Sequence, residues 1–202
     1  SELFSIQLQN RQQQGRDGVW LDLPTTTEQV QAALRQIGIS SDNPQGLFIS
    51  GYFAEEEKRF AIPYNMVLAS NVDELNFLAS RLETLSTGER AELNAALQAP
   101  QSELFSIGRI TDFPENVDYY VHLPDVHGPA QLGDYYLNRS GMVDMPEEWK
   151  GGIDTAQFGR YVAQQEQGVF TEYGYLVKSG DAWQKVHEGQ PVPEEYRVLS
   201  FP

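Results

Sequence analysis

The side chains that can do acid–base or metal chemistry are few, and the histidines come first. His122 and His127 stand five positions apart on either side of Pro124 and Asp125, and His187 lies far from both in sequence. Histidine beside aspartate can form a catalytic dyad or contribute to a metal site. The spacing and the intervening proline keep the two rings off a common helix face. We therefore favour a polar turn after a strand over a dyad or a metal site.

Adjacent glutamates are the other candidates for general acid–base chemistry. They occur as Glu147-Glu148 and as Glu194-Glu195. A catalytic pair needs two carboxyl groups that face each other, whereas neighbouring residues on a helix point apart. The sequence also has no motif of zinc proteases, of nucleophile-elbow hydrolases or of phosphate-binding loops. We predict that these glutamates are solvated, that the protein is not an enzyme, and that it binds no metal or cofactor.

Tyrosine is concentrated in the second half of the chain. Such rings can form a platform on which a carbohydrate stacks, and with nearby aspartates they leave a hydrolase as an alternative function. At these spacings tyrosines more often occupy core and subcore positions, which is the arrangement we predict. The tyrosines concerned are Tyr119, Tyr120, Tyr135, Tyr136, Tyr161, Tyr173 and Tyr175.

The strongest signal in the composition is negative charge. The 202 residues include 29 Asp and Glu against 14 Lys and Arg, which gives a net charge of −15. Such a surface repels DNA phosphates, so we expect no direct binding of nucleic acid. It attracts a protein with a basic groove. On charge alone, however, acidity that serves only solubility is the commoner explanation.

The acids are densest between residues 112 and 148, where Arg139 is the one basic residue. They stand singly among tyrosine, leucine and tryptophan, whereas the acids of disordered tails come in runs. We therefore predict a folded surface that holds negative charges at fixed points, as a phosphate backbone does. Its predicted members are Asp112, Glu115, Asp118, Asp125, Asp134, Asp144, Glu147, Glu148 and Asp154.

The rest of the composition excludes several classes of protein. Cysteine is absent, which rules out disulfides, zinc fingers and thiol catalysis and is typical of a reducing cytoplasm. No apolar stretch is long enough to span a membrane, and the first ten residues do not have the pattern of a signal peptide. We expect a cytoplasmic protein with enough apolar residues for real cores.

The first 63 residues predict a small α+β unit. Alternating or β-rich segments at 3–8, 19–23 and 47–52 predict strands. Between the second and third, Val30, Ala33, Leu34 and Ile37 recur at helical spacing, and Gly38 is typical of a helix end. We expect a short antiparallel sheet that carries one helix.

The remaining sequence predicts a helical unit over 64–101, a second α+β unit over 102–180 and an extension over 181–202. In the helical unit, leucines form a stripe from Leu75 to Leu85, and Ser86 to Gly88 interrupt the helix. The second α+β unit combines strands near 119–123 and 169–177 with helices near 129–139 and after Asp154. The predicted fold class is therefore α+β, with three small consecutive units in an elongated arrangement.

Short motifs follow one another in the order found in the ArdA antirestriction proteins, which this sequence resembles. Residues 18–24 form a Gly-x-Trp strand that ends at a proline and precedes a helix and Gly51-Tyr52. Residues 72–97 resemble the middle helical unit of that family. The landmarks of its third unit are Asp134-Tyr135-Tyr136-Leu137, Gly141, Pro146, Trp149, Ile153-Asp154, Phe158-Gly159-Arg160 and Gly168-Val169-Phe170. The similarity runs from about residue 19 to residue 176.

The resemblance implies an elongated homodimer whose surface carboxylates imitate the phosphates of bent duplex DNA. It implies that the protein occupies the DNA-binding groove of type I restriction–modification enzymes, and that its gene travels on mobile genetic elements such as conjugative transposons. The nine acids would supply much of the DNA-mimicking surface. A second hypothesis is that the same scaffold is an acidic binding module whose partner is another basic host or conjugation protein.

Overall fold

The computed structural model describes residues 2–13 and 15–202. These residues form two three-stranded antiparallel sheets and eight α-helices, which confirms the predicted α+β class. The strands are β1 (Phe4–Asn10), β2 (Val19–Leu23), β3 (Leu47–Phe53), β4 (Tyr120–Leu123), β5 (Val169–Thr171) and β6 (Gly174–Lys178). The helices are α1 (Thr27–Gln36), α2 (Tyr64–Leu68), α3 (Val72–Leu82), α4 (Thr87–Gln98), α5 (Ile107–Thr111), α6 (Pro129–Asn138), α7 (Glu147–Lys150) and α8 (Thr155–Glu166).

The chain divides into two compact units that are not continuous in sequence. Unit 1 comprises Ser1–Leu85, Leu104–Pro114 and Lys185–Pro202, and unit 2 comprises Ser86–Glu103 and Glu115–Gln184. Each unit thus joins segments that lie far apart in the sequence. Local sequence patterns identify helices and strands but do not identify which distant element each one packs against.

Unit 1 contains the first sheet, in the strand order β2-β1-β3. Its helix α1 begins at a reciprocal capping box formed by Thr26 and Gln29. The helix ends as predicted, where Gly38 follows it with a positive φ of 72°. Alternate residues of β1 point into the core, where Ile6 and Leu8 are fully buried. The sheet and α1 together form a small α+β arrangement.

The C-terminal segment is an integral part of unit 1. Asn76 on α3 accepts the N–H of Thr25 at 2.8 Å and donates to the carbonyl oxygen of Tyr196 at 3.0 Å. The Oδ1 of Asp73, also on α3, accepts the N–H groups of Val198 and Leu199 at 2.8 and 2.9 Å. Residues 185–202, predicted as part of an extension, are therefore fixed to a helix of the N-terminal half.

Unit 2 combines the second sheet, in the order β4-β6-β5, with α4, α6, α7 and α8. Helices α6 and α8 meet backbone to backbone at two glycines. A Cβ on Gly159 would lie 1.7 Å from the carbonyl oxygen of Pro129, and one on Gly133 would lie 1.9 Å from that of Thr155. Such contact is open only to glycine, so this pair of helices is tightly fixed.

The predicted interruption at Ser86 marks the end of the α3 region and the start of α4. The Ser86 hydroxyl accepts the N–H of Glu89 at 3.1 Å, and the Glu89 carboxylate accepts the N–H of Ser86 at 2.9 Å. This capping box starts a new helix that belongs to unit 2. Among the described residues, no helix has both the length and the hydrophobicity that a membrane crossing requires.

Candidate functional site

Eight of the nine predicted carboxylates are exposed, and all eight belong to unit 2. They lie on four kinds of element: a 3-10 turn before β4, the turn after β4, helix α6, and the segment that links α6 to α8. The eight residues are Glu115, Asp118, Asp125, Asp134, Asp144, Glu147, Glu148 and Asp154. Their exposure to solvent is thus compatible with a surface that a partner contacts.

Two of these carboxylates are held at the close contact between α6 and α8. Asp154 is the N-cap of α8 and accepts the N–H of Gln157 at 3.1 Å. Asp134 lies on α6 and accepts from the side-chain amide of Asn138 at 2.8 Å. Each is adjacent in sequence to a member of the Gly133–Thr155 backbone contact. The two negative charges therefore have fixed positions relative to each other, as charges on a rigid scaffold do.

The cations of unit 2 do little to offset its acids. The unit contains 14 acidic and five basic residues, for a net charge of −9. Lys150 is paired with Glu147 at 2.9 Å and Lys178 with Glu103 at 2.5 Å. The guanidinium of Arg139 lies over the ring of Tyr135. The outward field of this unit is consequently negative, and it attracts basic surfaces.

Asp112 corrects the sequence prediction, because its side chain is 0% exposed and lies in unit 1. Its Oδ1 accepts the N–H of His187 at 2.8 Å, and its Oδ2 accepts those of Val186 and Glu188, both at 3.1 Å. A buried carboxylate that satisfies three backbone donors is a structural clamp on the C-terminal segment. It cannot present charge to a partner.

Glu92 on α4 is an acidic group that the sequence analysis did not single out. Burial, together with the nearby charges of Asp118 and Glu89, raises its pKa from the ordinary value of 4.5 to about 8. Its Oε2 atom is buried and has no hydrogen-bond partner. Glu92 is therefore mostly protonated at neutral pH and adds little to the acidic surface. The i, i+3 spacing from Glu89 is visible in the sequence, but the approach of Asp118 is not.

His122, which the sequence analysis considered for a dyad or a metal site, has a hydrogen-bond partner in the backbone. The Nε2 of His122 lies 2.7 Å from the carbonyl oxygen of Tyr173, so this ring donates a hydrogen bond within the second sheet region. His127 and Asp125 are exposed on the turn that follows β4. Among the described residues, no group of three or more acids and histidines is arranged to share a metal ion.

The tyrosines of unit 2 mainly build its core. Tyr175 is fully buried, and its hydroxyl donates to the Glu166 carboxylate at 2.5 Å. The hydroxyl of Tyr136 donates to the same carboxylate at 2.9 Å. Burial and the adjacent Glu166 raise the pKa of both phenols well above the usual value. Tyr161 on α8 is an exception, since it is 60% exposed.

Unit 2 has a cavity of about 210 Å³, and its lining shows whether the eight exposed acids lie in a cleft, as catalytic acids would, or outside it. Its lining includes Glu103, Glu166 and Lys178 but none of the eight exposed carboxylates. A catalytic site would bring acids together in a cleft, whereas a charge mimic presents them on an outer surface. The eight acids lie outside this cavity and on the outer surface.

Comparison with known families agrees with the resemblance in the motifs. A model of the ArdA antirestriction proteins matches residues 14–177, which is most of the chain. A comparison with curated proteins gave no significant match. The family match spans the strand that contains Trp20, the helices of the middle region and the α6–α8 landmarks. The chain therefore belongs to the ArdA family of antirestriction proteins.

Proposed function

We propose that this protein inhibits type I restriction–modification enzymes by mimicking duplex DNA and occupying their DNA-binding groove. The observation that carries the proposal is the set of eight exposed carboxylates on unit 2, in a chain that belongs to an antirestriction family. Fixed negative charges on rigid elements reproduce what a basic groove recognises in a phosphate backbone.

The amount of charge supports this proposal. Duplex DNA carries about one negative charge per 1.7 Å of its axis. With every carboxylate counted as ionised, the formal net charge of −9 on unit 2 corresponds to the phosphates of about 15 Å of duplex. In a homodimer, which we also propose, a two-fold axis would double this length and match the two halves of a bipartite DNA site.

Binding of this kind is distributed over many weak contacts. An exposed ion pair contributes only about 0.2–1 kcal/mol. Replacement of one exposed Asp by Asn therefore changes inhibition little, while six replacements together weaken it by orders of magnitude. A suitable six-fold variant neutralises Asp118, Asp125, Asp134, Asp144, Glu147 and Glu148. It leaves Asp154 in place because that residue caps α8.

The proposal is tested by plating unmodified phage on a restricting host that expresses the protein. We expect the wild-type protein to restore plaque formation toward the level of a non-restricting host, and the six-fold variant to lose most of this effect. The matched control neutralises six exposed acids of unit 1, namely Asp17, Asp42, Glu56, Glu57, Glu83 and Glu194. It should retain more inhibition at the same change in net charge.

Two outcomes contradict the proposal in different ways. If the wild-type protein leaves restriction unchanged but binds another basic host or conjugation protein, the scaffold serves as a different acidic binding module. If one exposed carboxylate alone abolishes inhibition while the fold stays intact, the contacts are not distributed, and a discrete site replaces mimicry.

A further inference from the structure

Within the connection from α6 to α8, residues 141–154 present large apolar side chains to solvent. Trp149 is 65% exposed and Met142 is 74% exposed. The backbone of Trp149 is fixed at both ends: its N–H donates to Pro146 and its carbonyl oxygen accepts from Gly152, each at 3.0 Å. A tryptophan that folding leaves outside the core, yet holds on a hydrogen-bonded turn, is typical of a binding anchor.

The charges of this segment are arranged with one sign outward. Lys150 is its one cation, and its side chain is 14% exposed, whereas that of its partner Glu147 is 83% exposed. The Lys150 side chain is thus largely covered, while the Glu147 side chain that it contacts at 2.9 Å is exposed. The outward carboxylates of the segment belong to Asp144, Glu147, Glu148 and Asp154. Trp149 therefore belongs to a segment whose exposed charges are all negative. The other cation of the connection between α6 and α8, Arg139, lies over the ring of Tyr135.

This combination selects one kind of partner. Anionic lipid and nucleic acid are repelled by the carboxylates of this segment. An uncharged apolar surface would remove water from these carboxylates and offer them neither a hydrogen bond nor an opposite charge. An arginine satisfies both features, because its planar guanidinium stacks on an indole face and also pairs with carboxylates. Basic grooves that bind DNA are rich in such side chains.

We propose that Trp149 anchors the complex by accepting an arginine of the partner's basic groove on its ring, within a segment whose exposed charges are negative. This inference rests on the proposed function and adds to it a contact that duplex DNA does not offer. Stacking buries apolar surface and is less sensitive to salt than exposed charge pairs are. Binding accordingly has two components, one steeply dependent on salt and one nearly independent of it.

The experiment measures the dissociation constant for the methyltransferase core of a type I restriction–modification enzyme over a range of NaCl concentrations. We expect W149L, which keeps an apolar side chain but removes the aromatic face, to weaken binding about tenfold at every salt concentration. We expect W149F, which keeps a ring, to lie within about threefold of the wild type. The double variant E147Q/E148Q should instead flatten the salt dependence.

Tyr161→Ala supplies the matched control, since Tyr161 is an exposed aromatic residue of the same unit outside the 141–154 segment. It should bind within about twofold of the wild type, and melting temperatures should show that all variants are folded. Binding by W149L that equals that of the wild type would overturn the anchor and leave the proposed function intact. Wild-type protein that does not bind the enzyme at all would overturn the proposed function and the anchor with it.

Discussion

Replacement of Asp112 by Asn separates a structural carboxylate from the exposed ones. Asp112 accepts three backbone N–H groups of the C-terminal segment, from Val186, His187 and Glu188. An asparagine has one acceptor oxygen, so its amide NH₂ must face at least one of these donors. Charge-assisted hydrogen bonds contribute about 1.5–3 kcal/mol each, and a buried donor without a partner costs about 1–3 kcal/mol. Relief of the carboxylate's own desolvation offsets part of this loss, and we expect a net destabilisation of about 2–4 kcal/mol.

The free energy of unfolding of the wild type, D112N and D118N is measured by urea unfolding, and the melting temperatures by thermal unfolding. D118N is the control, because Asp118 is exposed and its replacement should change stability by less than about 0.5 kcal/mol. D112N should have a melting temperature lower by about 5–15 °C, and it should lose inhibition only where it unfolds. If D112N were as stable as the wild type and yet inactive, Asp112 would contact the partner directly, and its assignment as a clamp would be wrong.

Three further predictions concern stability, pH and association. G159A should destabilise unit 2 by about 3 kcal/mol or more, because its Cβ would overlap the carbonyl oxygen of Pro129. The control G88A places a Cβ in open space on α4 and should be neutral or slightly stabilising. Equal melting temperatures of the two variants would contradict the contact between α6 and α8. E92Q should stabilise the protein more at pH 8.5 than at pH 4.5. The pKa of Glu92 is raised from 4.5 to about 8 in the folded state, so the wild type loses stability as the pH rises from 4.5 to 8, and glutamine, which does not ionise, avoids this loss. Thermal unfolding of E92Q that keeps the full pH dependence of the wild type would refute this. Light scattering at micromolar concentration should give the mass of a dimer, and a monomer mass would contradict the proposed homodimer.

Local sequence patterns were sufficient to predict most elements of the fold. The capping box at Thr26 and the glycine at position 38 both act within a few residues, so the limits of α1 follow from neighbouring side chains. The same holds for the alternation in β1 and for Asp154 as the cap of α8. Each of these signals depends on contacts that the chain makes with itself over one or two turns.

The elements and burial that the sequence did not indicate depend on distant partners. Asp112 stands among the other acids in sequence, and only the return of residues 186–188, more than 70 positions later, makes it a buried clamp. Short helix α5 was not predicted, since it has five residues and gains its order from packing against α3. Glu92 likewise owes part of its raised pKa to Asp118, which no local pattern brings near.

The other eight acids of the predicted surface are exposed. Sequence spacing indicated that they lie on folded elements, and the α6–α8 contact explains how two of them are held. Charge density alone did not distinguish them from Asp112. Discrimination requires burial, which is a property of the tertiary structure.

Competition between this protein and DNA for one enzyme is the most direct test of mimicry. A labelled duplex with the recognition sequence is bound to a type I restriction–modification enzyme, and the protein is added at increasing concentration and at several concentrations of NaCl. We expect full displacement of the duplex, no complex that contains both, and an inhibitor affinity that falls steeply with salt as a set of phosphate contacts does. A stable ternary complex of enzyme, duplex and protein, or an affinity that salt leaves unchanged, would contradict the account.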